Sequence, residues 1–404
     1  MTLPRLVLIT RRFWPLVGGA EQMMARLAIG LAARGSAVTV LTARWEEHWP
    51  AEIRYGGVPV VRLLNPPQRG WGTLCYMLAL RGWLRQHQGD YDLVYVSMLK
   101  HDAHTAVGSV GRSVPVVLRA EGAGENGDCQ WQRTARFGRC IQSRCRRASC
   151  LVAPGAVIEQ ELLAAGYPSH RIAGIPNGVA IPPPRSAAAR AAARDALVEA
   201  NPGLLLPLDA PLALYMGRLH KDKGLVHLVR AWKMLVSRWP TARLWIAGEG
   251  PQHRELARQI DEFDLQGQVL LAGVFDEIDV LLAAADLFVL PSYEEGTSLA
   301  LLEAMAAGLP VVASDIPGNR PLVTDGEQGL LVPPRDADAL AAAIHRIWNE
   351  ADLAARLGAA ARDRAMSRFS LDRTLDQHLA LFETLLGAER NNLRCREEDK
   401  EAAE

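Results

Sequence analysis

The amino-acid sequence predicts an α/β protein with two domains, each built on a parallel sheet. The chain has 404 residues, which is too long for one ordinary hydrophobic core. Short apolar segments alternate with helical segments in two successive series, and this alternation is typical of parallel sheets. A run of prolines, Pro182–Pro184, separates the two series. We therefore assign residues 1–180 to an N-terminal domain and residues 181–369 to a second domain.

Composition and charge exclude several other classes of protein. Lysine plus arginine equals aspartate plus glutamate, so the formal net charge is zero and nothing indicates nucleic-acid binding. No apolar run approaches the ~20 residues of a membrane-spanning helix, and the apolar start is too short for a signal peptide. We therefore expect a cytoplasmic protein. Four cysteines lie between Cys129 and Cys150 without the spacing of zinc ligands, which favours free thiols.

The first series opens like a nucleotide-binding α/β domain. A strand over Arg5–Thr10 leads through a loop into a helix over Ala20–Arg34, and a second strand follows at Ala37–Ala43. The loop lacks the G-x-G-x-x-G pattern, and Arg44 stands where a nicotinamide-dependent enzyme would need an acid. These departures argue against a dehydrogenase. Further strands are predicted at Tyr91–Ser97, Val114–Leu118 and Leu151–Ala153, with a helix at Val157–Ala165.

Two features of this series have both a functional and a structural interpretation. Gly18 and Gly19 precede a helix, where amides favour anions and the missing Cβ atoms allow close approach to a ligand. A flexible turn would need the same residues. The arginine-rich segment Arg133–Arg147 could bind an anionic acceptor or a membrane surface. A solvated helix face also explains that pattern and is the favoured interpretation.

The second series repeats the alternation and ends in a charged tail. Its predicted strands are Leu212–Met216, Leu244–Ala247, Val269–Ala272, Leu287–Leu290, Val311–Ala313 and Leu330–Val332. Its predicted helices are Ser186–Ala200, Leu225–Trp239, Leu299–Ala307 and Ala339–Trp348. A terminal helix covers residues 370–388, and residues 389–404 are expected to be disordered because they are charged and lack an apolar period.

The segment Ala285–Ser314 predicts a strand–helix–strand unit, and ligands bind beyond the carboxyl ends of such strands. Glu295 lies in the loop after the first strand, and Glu303 lies inside the helix among apolar neighbours. A buried carboxylate needs hydrogen-bond donors, which sugar hydroxyls would supply. An arginine partner, or exposure at the helix edge, would also satisfy Glu303.

The loop Gly217–Gly224 follows the first strand of the second series and carries Arg218 and Lys223 just before a helix. A lysine at that position opposes the helix macrodipole, and a bound anion would remove the conflict. Arginine and lysine together are a common pairing for a diphosphate. A solvated loop is the alternative interpretation.

The spacing of Glu295 and Glu303, followed by AMAAGLPVVASDIPG, resembles the C-terminal signature of the retaining GT-B glycosyltransferases of family four. The resemblance implies an α/β fold of GT-B type, in which two Rossmann-like domains with parallel sheets face each other across a cleft. The terminal helix would cross back to the first domain. The implied reaction is hexosyl transfer, with retention, from a UDP- or GDP-type nucleotide sugar to an acceptor hydroxyl in glycan, glycolipid or polysaccharide synthesis.

The resemblance also implies roles for individual residues. Glu295 would face the donor sugar, Glu303 would bind the ribose hydroxyls, and Arg218 with Lys223 would bind the diphosphate. The other residues matched to donor contacts are Gly18, Gly19, Val274, Gly296, Thr297, Ser298 and Leu299.

Two positions depart from the family pattern. Ala180 stands where an Asp is usual, and Glu121 stands where many members carry a His. We assign Glu121, with Glu295, as a candidate catalytic residue, because an ionised acid accepts hydrogen bonds from hydroxyls and could assist proton removal. Arg119 lies two residues away on the same strand face and is the expected partner that holds Glu121 ionised. A pair that only staples a loop is the alternative.

No metal or other cofactor is expected, because the diphosphate site is cationic. Asp336 and Asp338 spell D-x-D, but they open a helix, where acids are ordinary caps. The expected partners are a nucleotide sugar and a glycan or lipid-linked acceptor, and contact with the inner membrane face through Arg133–Arg147 is a further hypothesis. A GT-B epimerase or hydrolase and a non-catalytic nucleotide-sugar-binding subunit are the alternative functions.

Overall fold

The structure is a computed structural model that describes residues 3–16, 18–68, 70–111, 113–207 and 209–401, with side chains as far as residue 388. The chain forms two compact units. The first unit comprises the chain up to Gly178 and again from Leu371, and the second comprises Val179–Ser370. The predicted boundary after residue 180 therefore lies close to the observed one.

The first unit contains an eight-stranded sheet. Its strands are β1 (Arg5–Ile9), β2 (Ala37–Ala43), β3 (Glu52–Tyr55), β4 (Val58–Leu63), β5 (Leu93–Ser97), β6 (Val116–Arg119), β7 (Cys150–Ala153) and β8 (Ile172–Gly174). The order is β3-β4-β2-β1-β5-β6-β7-β8, and only β3 is antiparallel to its neighbour. The order reverses between β1 and β5, so the loops after these strands diverge and leave room for a ligand.

The helices before the boundary cover this sheet. They are α1 (Gly19–Ala33), α2 (Trp71–Gln86), α3 (His101–Ser109), α4 (Asp128–Thr134), α5 (Gly138–Cys145) and α6 (Ala156–Ala164). Tyr76, Ala103 and Ile141 of α2, α3 and α5 enter one core with Val94 of β5, so these helices lie on the same face of the sheet. The arginine-rich segment 133–147 is divided between α4 and α5, because the backbone is extended at Ala135, where α4 ends.

The second unit contains a six-stranded parallel sheet. Its strands are β9 (Leu212–Met216), β10 (Arg243–Ala247), β11 (Val269–Gly273), β12 (Leu287–Leu290), β13 (Val311–Ser314) and β14 (Leu330–Val332). The order is β11-β10-β9-β12-β13-β14. Counted within the unit this is 3-2-1-4-5-6, the order of dinucleotide-binding α/β domains, with its reversal between β9 and β12. The predicted fold class of two parallel-sheet α/β domains is confirmed.

The remaining helices complete both units. Those of the second unit are α7 (Ala187–Ala200), α8 (Leu225–Leu235), α9 (His253–Glu262), α10 (Ile278–Ala284), α11 (Leu299–Ala306), α12 (Ala337–Asn349) and α13 (Ala351–Phe369), and α14 (Leu371–Glu401) belongs to the first. The tail predicted to be disordered is helical to Glu401, because 388–401 has helix-forming residues and no Gly or Pro, while 402–404 lie outside the described residues. Among the described residues, no helix is long and apolar enough to cross a membrane.

Candidate functional site

Two loops of the second unit meet where its strand order reverses. Strands β9 and β12 are neighbours there, and residues 217–224 follow β9 while residues 291–298 follow β12. The backbone N–H of Tyr293 donates to the carbonyl oxygen of Asp222, 2.7 Å away. Gly224 has a φ of +65°, and a Cβ atom on it would overlap the backbone of the β12 loop. The two loops therefore form one surface at the carboxyl edge of the sheet.

Lys223 and Glu295 form an ion pair on this surface, although they are far apart in the sequence. The distance from Lys223 Nζ to Glu295 Oε1 is 2.8 Å, and the side chains are 17% and 11% exposed. Ser292 Oγ donates to the same carboxylate oxygen at 2.7 Å. A Cβ atom on Gly318 would overlap the carbonyl oxygen of Glu295, so the turn after β13 also packs against this loop. The lysine predicted to bind diphosphate and the glutamate predicted to face the sugar thus occupy one site.

Arg218 extends from the same loop but is largely free of the protein. Its side chain is 60% exposed, and its Nη2 lies 3.8 Å from Asp222 Oδ2. Asp222 Oδ1 makes a closer contact with His220 Nδ1, at 2.6 Å. The hydroxyl of Tyr215 donates to the carbonyl oxygen of Arg218, and burial raises the pKa of Tyr215, with Glu295 acting in the same direction. The backbone of Arg218 is therefore fixed while its guanidinium can reach a ligand.

Helix α11 starts within the site and buries Glu303. Ser298 is its N-cap, and the Ser298 Oγ accepts a hydrogen bond from the Leu301 N–H. Thr297 Oγ1 donates to the carbonyl oxygen of Gly296, and Leu299 is the first helical residue. Glu303 is 8% exposed, so the structure rules out exposure at the helix edge, one of the alternatives that the sequence left open.

Val274 lies apart from the other donor-site candidates. It follows β11, and strand β10 stands between β11 and β9 in the sheet. Its side chain is exposed. The structure therefore places Val274 at the same edge of the sheet but does not bring it into contact with Lys223 or Glu295.

Several residues of this site were missed in the sequence. Ser292 donates to the Glu295 carboxylate, and the carbonyl oxygen of Asp222 accepts from the Tyr293 N–H. The guanidinium of Arg335 lies 4.5 Å from the ring centre of Tyr293. The available signal was that Ser292 and Asp222 lie in loops at the carboxyl ends of predicted strands. The partner of each could not be identified without the sheet order.

Gly18 and Gly19 lie at the N-terminus of α1. Gly18 is the N-cap, in an extended conformation, and Gly19 is the first helical residue. Glu21 in the first turn packs against the open side of Gly18, and its Oε1 lies 3.7 Å from Arg12 Nε. An acid already occupies this helix end, and it reduces the attraction of the helix dipole for a second anion.

Glu121 is the centre of a buried polar network in the first unit. Its Oε1 accepts hydrogen bonds from Ser97 Oγ and Arg119 Nε, each at 2.9 Å, and its backbone N–H donates to Asp128. Arg119 is fully buried and also donates to Asn177 Oδ1. The predicted contact of Arg119 with Glu121 is therefore present. However, burial raises the pKa of Glu121 to about 7 and outweighs the opposing effects of Arg119 and Ser97.

A second polar cluster lies where the strand order of the first unit reverses, and the sequence did not indicate it. Arg11, two residues after the end of β1, donates from Nη2 to Asn65 Oδ1 at 2.8 Å, and its Nη1 lies 3.7 Å from Asp102 Oδ1. Its guanidinium lies 4.3 Å from the ring centre of Tyr76. Burial raises the pKa of Asp102 to about 6. These partners come from three different segments, so no local motif connects them.

The arginine-rich segment is partly engaged with the protein. Arg144 Nη1 contacts His104 Nε2 at 2.9 Å, and Arg146 Nη2 donates to the carbonyl oxygen of Ala165 at 2.6 Å. The side chains of Arg133, Arg136, Arg139 and Arg147 are exposed. The segment is thus a mixture of structural and solvated arginines.

The D-x-D motif and the cysteines that the structure describes have structural roles. Asp336 Oδ1 accepts a hydrogen bond from the Ala339 N–H at 2.8 Å, so the D-x-D motif supplies the predicted N-cap of α12. The cysteines described are free, and burial raises the pKa of both Cys129 and Cys145 to about 12. Across the described ranges, no group of three or more His, Cys, Asp or Glu could hold a metal ion.

Solved structures share this architecture. Sucrose-phosphate synthase from Thermosynechococcus elongatus superposes with a TM-score of 0.79 and 25% identity, over 95% of this chain and 100% of that one. Alr3699/HepE from Anabaena, in complex with UDP and glucose, gives a TM-score of 0.77 and 22% identity, over 94% of this chain and 100% of that one. The second likeness shows the fold alone.

Sequence comparisons agree with the structural ones. The lipopolysaccharide core biosynthesis glycosyltransferase LpsE of Rhizobium meliloti (strain 1021) is 34% identical over 176 residues, which are 44% of this chain and 51% of LpsE. The chain thus spans about half the length of that relative. The family model Glycosyltransferase Family 4 matches residues 17–181, and Glycosyl transferases group 1 matches residues 199–364. One family model matches each series of strands, and sucrose-phosphate synthase shares the parallel-sheet fold over 95% of the chain, so the chain belongs to the group 1 glycosyltransferases.

Proposed function

We propose that the protein transfers a sugar from a nucleotide diphosphate sugar to an acceptor hydroxyl. The observation that carries this proposal is the pair of Lys223 and Glu295 at the strand-order reversal of the second unit. A lysine there suits a diphosphate, and a carboxylate beside it suits the hydroxyls of the attached sugar. One partly buried pair therefore offers both kinds of group that a nucleotide sugar needs.

The donor is a UDP- or GDP-type sugar in this proposal. Lys223 and the exposed Arg218 bind the diphosphate, and Glu303 binds the ribose from its buried position in α11. The complex of Alr3699/HepE with UDP and glucose supports a UDP-type donor. Val274 and the backbone around Gly296 complete the donor site.

The proposed reaction needs charge stabilisation more than a nucleophile. Negative charge grows on the leaving diphosphate, where Lys223 and Arg218 stabilise it without a divalent metal. Glu295 Oε1 already accepts hydrogen bonds from Lys223 and Ser292, and this favours a hydrogen-bonding role over covalent attack. We therefore favour same-face attack with retention, in which the leaving phosphate helps to take the acceptor proton.

Glu121 is the proposed acid–base group of the first unit. With a pKa of about 7 it can accept a proton near neutral pH, and its geometry with Ser97 fixes one of its two oxygens. The acceptor is a glycan or a lipid-linked saccharide, as in the lipopolysaccharide synthesis for which LpsE is named. A cytoplasmic location, with membrane contact through Arg133–Arg147, stays a hypothesis.

A thermal-shift panel of nucleotide sugars tests the donor first, because a ligand at about 100 times its Kd adds about 2.7 kcal/mol of stability. The best ligand then enters assays with and without saccharide acceptors, using Lys223→Ala as the matched control. Acceptor-dependent transfer supports the proposal. Release of free sugar or an epimer without acceptor would favour the hydrolase or epimerase, and binding without any turnover would favour the non-catalytic subunit.

A further inference from the structure

Helix α2 carries a row of exposed apolar side chains on its outer side. Trp71, Leu74 and Leu78 are 57%, 46% and 58% exposed, and their spacing places them on one side of the helix. The opposite side buries Tyr76 and Leu80 in the core of the first unit. An ordinary surface helix has one apolar face toward the core and a polar outer face. Helix α2 differs because part of its outer face is apolar as well.

The same outer side of α2 is basic further along the helix. Arg81 and Arg85 continue the spacing of Trp71, Leu74 and Leu78, and both arginines are exposed. From Leu64 to Gly89 the sequence contains no Asp or Glu. We call Trp71, Leu74, Leu78, Arg81 and Arg85 the α2 stripe. Its charge is therefore positive, and no acid on the helix offsets it.

We propose that the α2 stripe docks on an anionic lipid surface. A helix of this kind lies in the interface plane, with its apolar side chains below the headgroups and its arginines against lipid phosphates. Tryptophan at the edge of the apolar part suits the headgroup region. A protein partner with an apolar groove would explain Trp71, Leu74 and Leu78, but the absence of acids along the segment favours a surface of uniform negative charge.

The neighbouring helices add exposed arginines on this side of the first unit. Helix α3 packs between α2 and α5, and Arg144 of α5 reaches His104 of α3. Near the start of α5, Phe137 is exposed beside Arg136 and Arg139. The exposed arginines of α4 and α5 thus lie on the same face of the sheet as the α2 stripe. This docking is independent of the proposed transferase activity.

The test is co-sedimentation of the full chain with vesicles of phosphatidylcholine, alone or with phosphatidylglycerol. We expect binding that needs the anionic lipid and falls at least about tenfold in the variant Trp71→Ser, Leu74→Ser, Leu78→Ser. The matched control replaces three comparably exposed apolar residues elsewhere, Leu163→Ser, Leu205→Ser and Met366→Ser, and should bind as the wild type does. Circular dichroism verifies folding, and Arg81→Gln with Arg85→Gln should remove the dependence on phosphatidylglycerol.

Three outcomes would overturn the proposal. They are no vesicle binding by the wild type, equal binding by the α2 and control variants, and self-association that the α2 variant abolishes while vesicles stay unbound. The last result would assign the face to a second copy of the chain. Donor binding by the α2 variant, measured in the same preparation, should be unchanged, so a failure of docking is distinct from a failure of the proposed function.

Discussion

Lys223 and Glu295 stabilise each other as a partly buried ion pair. Removing both charges from water costs desolvation energy, which their attraction and the Ser292 hydrogen bond offset. Because the pair is partly buried, removing either residue leaves an uncompensated charge. A bound diphosphate would offer Lys223 a second anion, so the donor can enter without leaving the lysine unpaired.

Lys223→Ala should weaken binding of the nucleotide diphosphate about ten- to a hundredfold, because a charged hydrogen bond contributes roughly 1.5–3 kcal/mol. It should also lower the free energy of unfolding, since Glu295 stays partly buried without its partner. Arg218→Ala is the control: its exposed side chain should affect binding but not stability. Calorimetry and thermal unfolding measure the two effects. Unchanged affinity in both variants would place the diphosphate elsewhere.

Substitution of Glu303 and of Glu295 should affect the binding of different ligands. Glu303→Ala should weaken binding of the bare nucleotide diphosphate, because its proposed partner is the ribose. Glu295→Ala should largely spare that ligand and slow use of the whole donor. Calorimetry with the diphosphate and initial rates with the sugar donor distinguish them. If both variants lose the same ligand to the same extent, the proposed division of roles is wrong.

Glu121 should give the reaction its pH dependence. A base works when unprotonated, so kcat/KM should rise with pH up to about 7, the pKa of Glu121. Glu121→Gln should slow transfer at least ~100-fold, flatten this limb and leave donor binding near normal. A Gln variant with the wild-type rate and profile would show that the Arg119–Glu121 pair only holds the loop.

At the scale of elements, α14 is fastened to the first unit by buried polar contacts. His378 Nδ1 donates to the carbonyl oxygen of Thr374 at 2.7 Å, and its Nε2 lies 3.0 Å from the hydroxyl of Tyr95 on β5. Thr374 Oγ1 donates to the carbonyl oxygen of Pro176. With Nδ1 donating, a neutral ring leaves Nε2 free to accept from the Tyr95 hydroxyl, and burial lowers the pKa of His378 to about 3.

This contact should make stability fall in acid. The folded pKa of His378 lies below its unfolded value of about 6.5, so protons favour the unfolded state once the pH falls below 6.5. Between pH 7.5 and 5.0 the loss should be about 2 kcal/mol, at 1.36 kcal/mol per unit. His378→Gln cannot titrate there, and the difference between its urea-unfolding curves and those of the wild type isolates the effect. Equal pH dependence in both proteins would contradict this account.

At the level of the whole molecule, the proposed donor-binding residues all come from one continuous stretch of the chain. Arg218, Lys223, Val274, Glu295 and Glu303 all lie in Val179–Ser370, which is continuous and has its own six-stranded sheet. The first unit is discontinuous, because α14 returns to it. The second unit therefore has what it needs to fold alone, and the first needs both of its segments.

A chain of residues 179–370 alone should fold and bind the nucleotide diphosphate within about tenfold of the whole protein, or 1.4 kcal/mol. It should transfer no sugar, because Glu121 and the acceptor side are missing. Circular dichroism and calorimetry measure these results, with the Lys223→Ala form of the same fragment as control. A folded fragment without affinity would show that the first unit supplies an essential part of the donor site.

Much of the fold was predictable because its signals are local. The six strands of the second unit follow from short apolar runs, and their alternation with helical segments predicts the parallel arrangement. The hairpin of β3 and β4 and the division of α4 from α5 were missed, because short amphipathic segments give weak periodicity. The helical end of α14 was missed because a charged segment that lacks an apolar period is typical of disorder.

The two α/β domains follow from local hydrophobic pattern, and the donor-site candidates follow from motifs that resemble a known family, so both could be predicted without coordinates. The tertiary structure decided which side chains meet. The Lys223–Glu295 contact depends on β9 and β12 being neighbours, and the pKa of Glu121 depends on burial beneath elements distant in sequence. Sheet order and desolvation are long-range properties, so no stretch of sequence contains them.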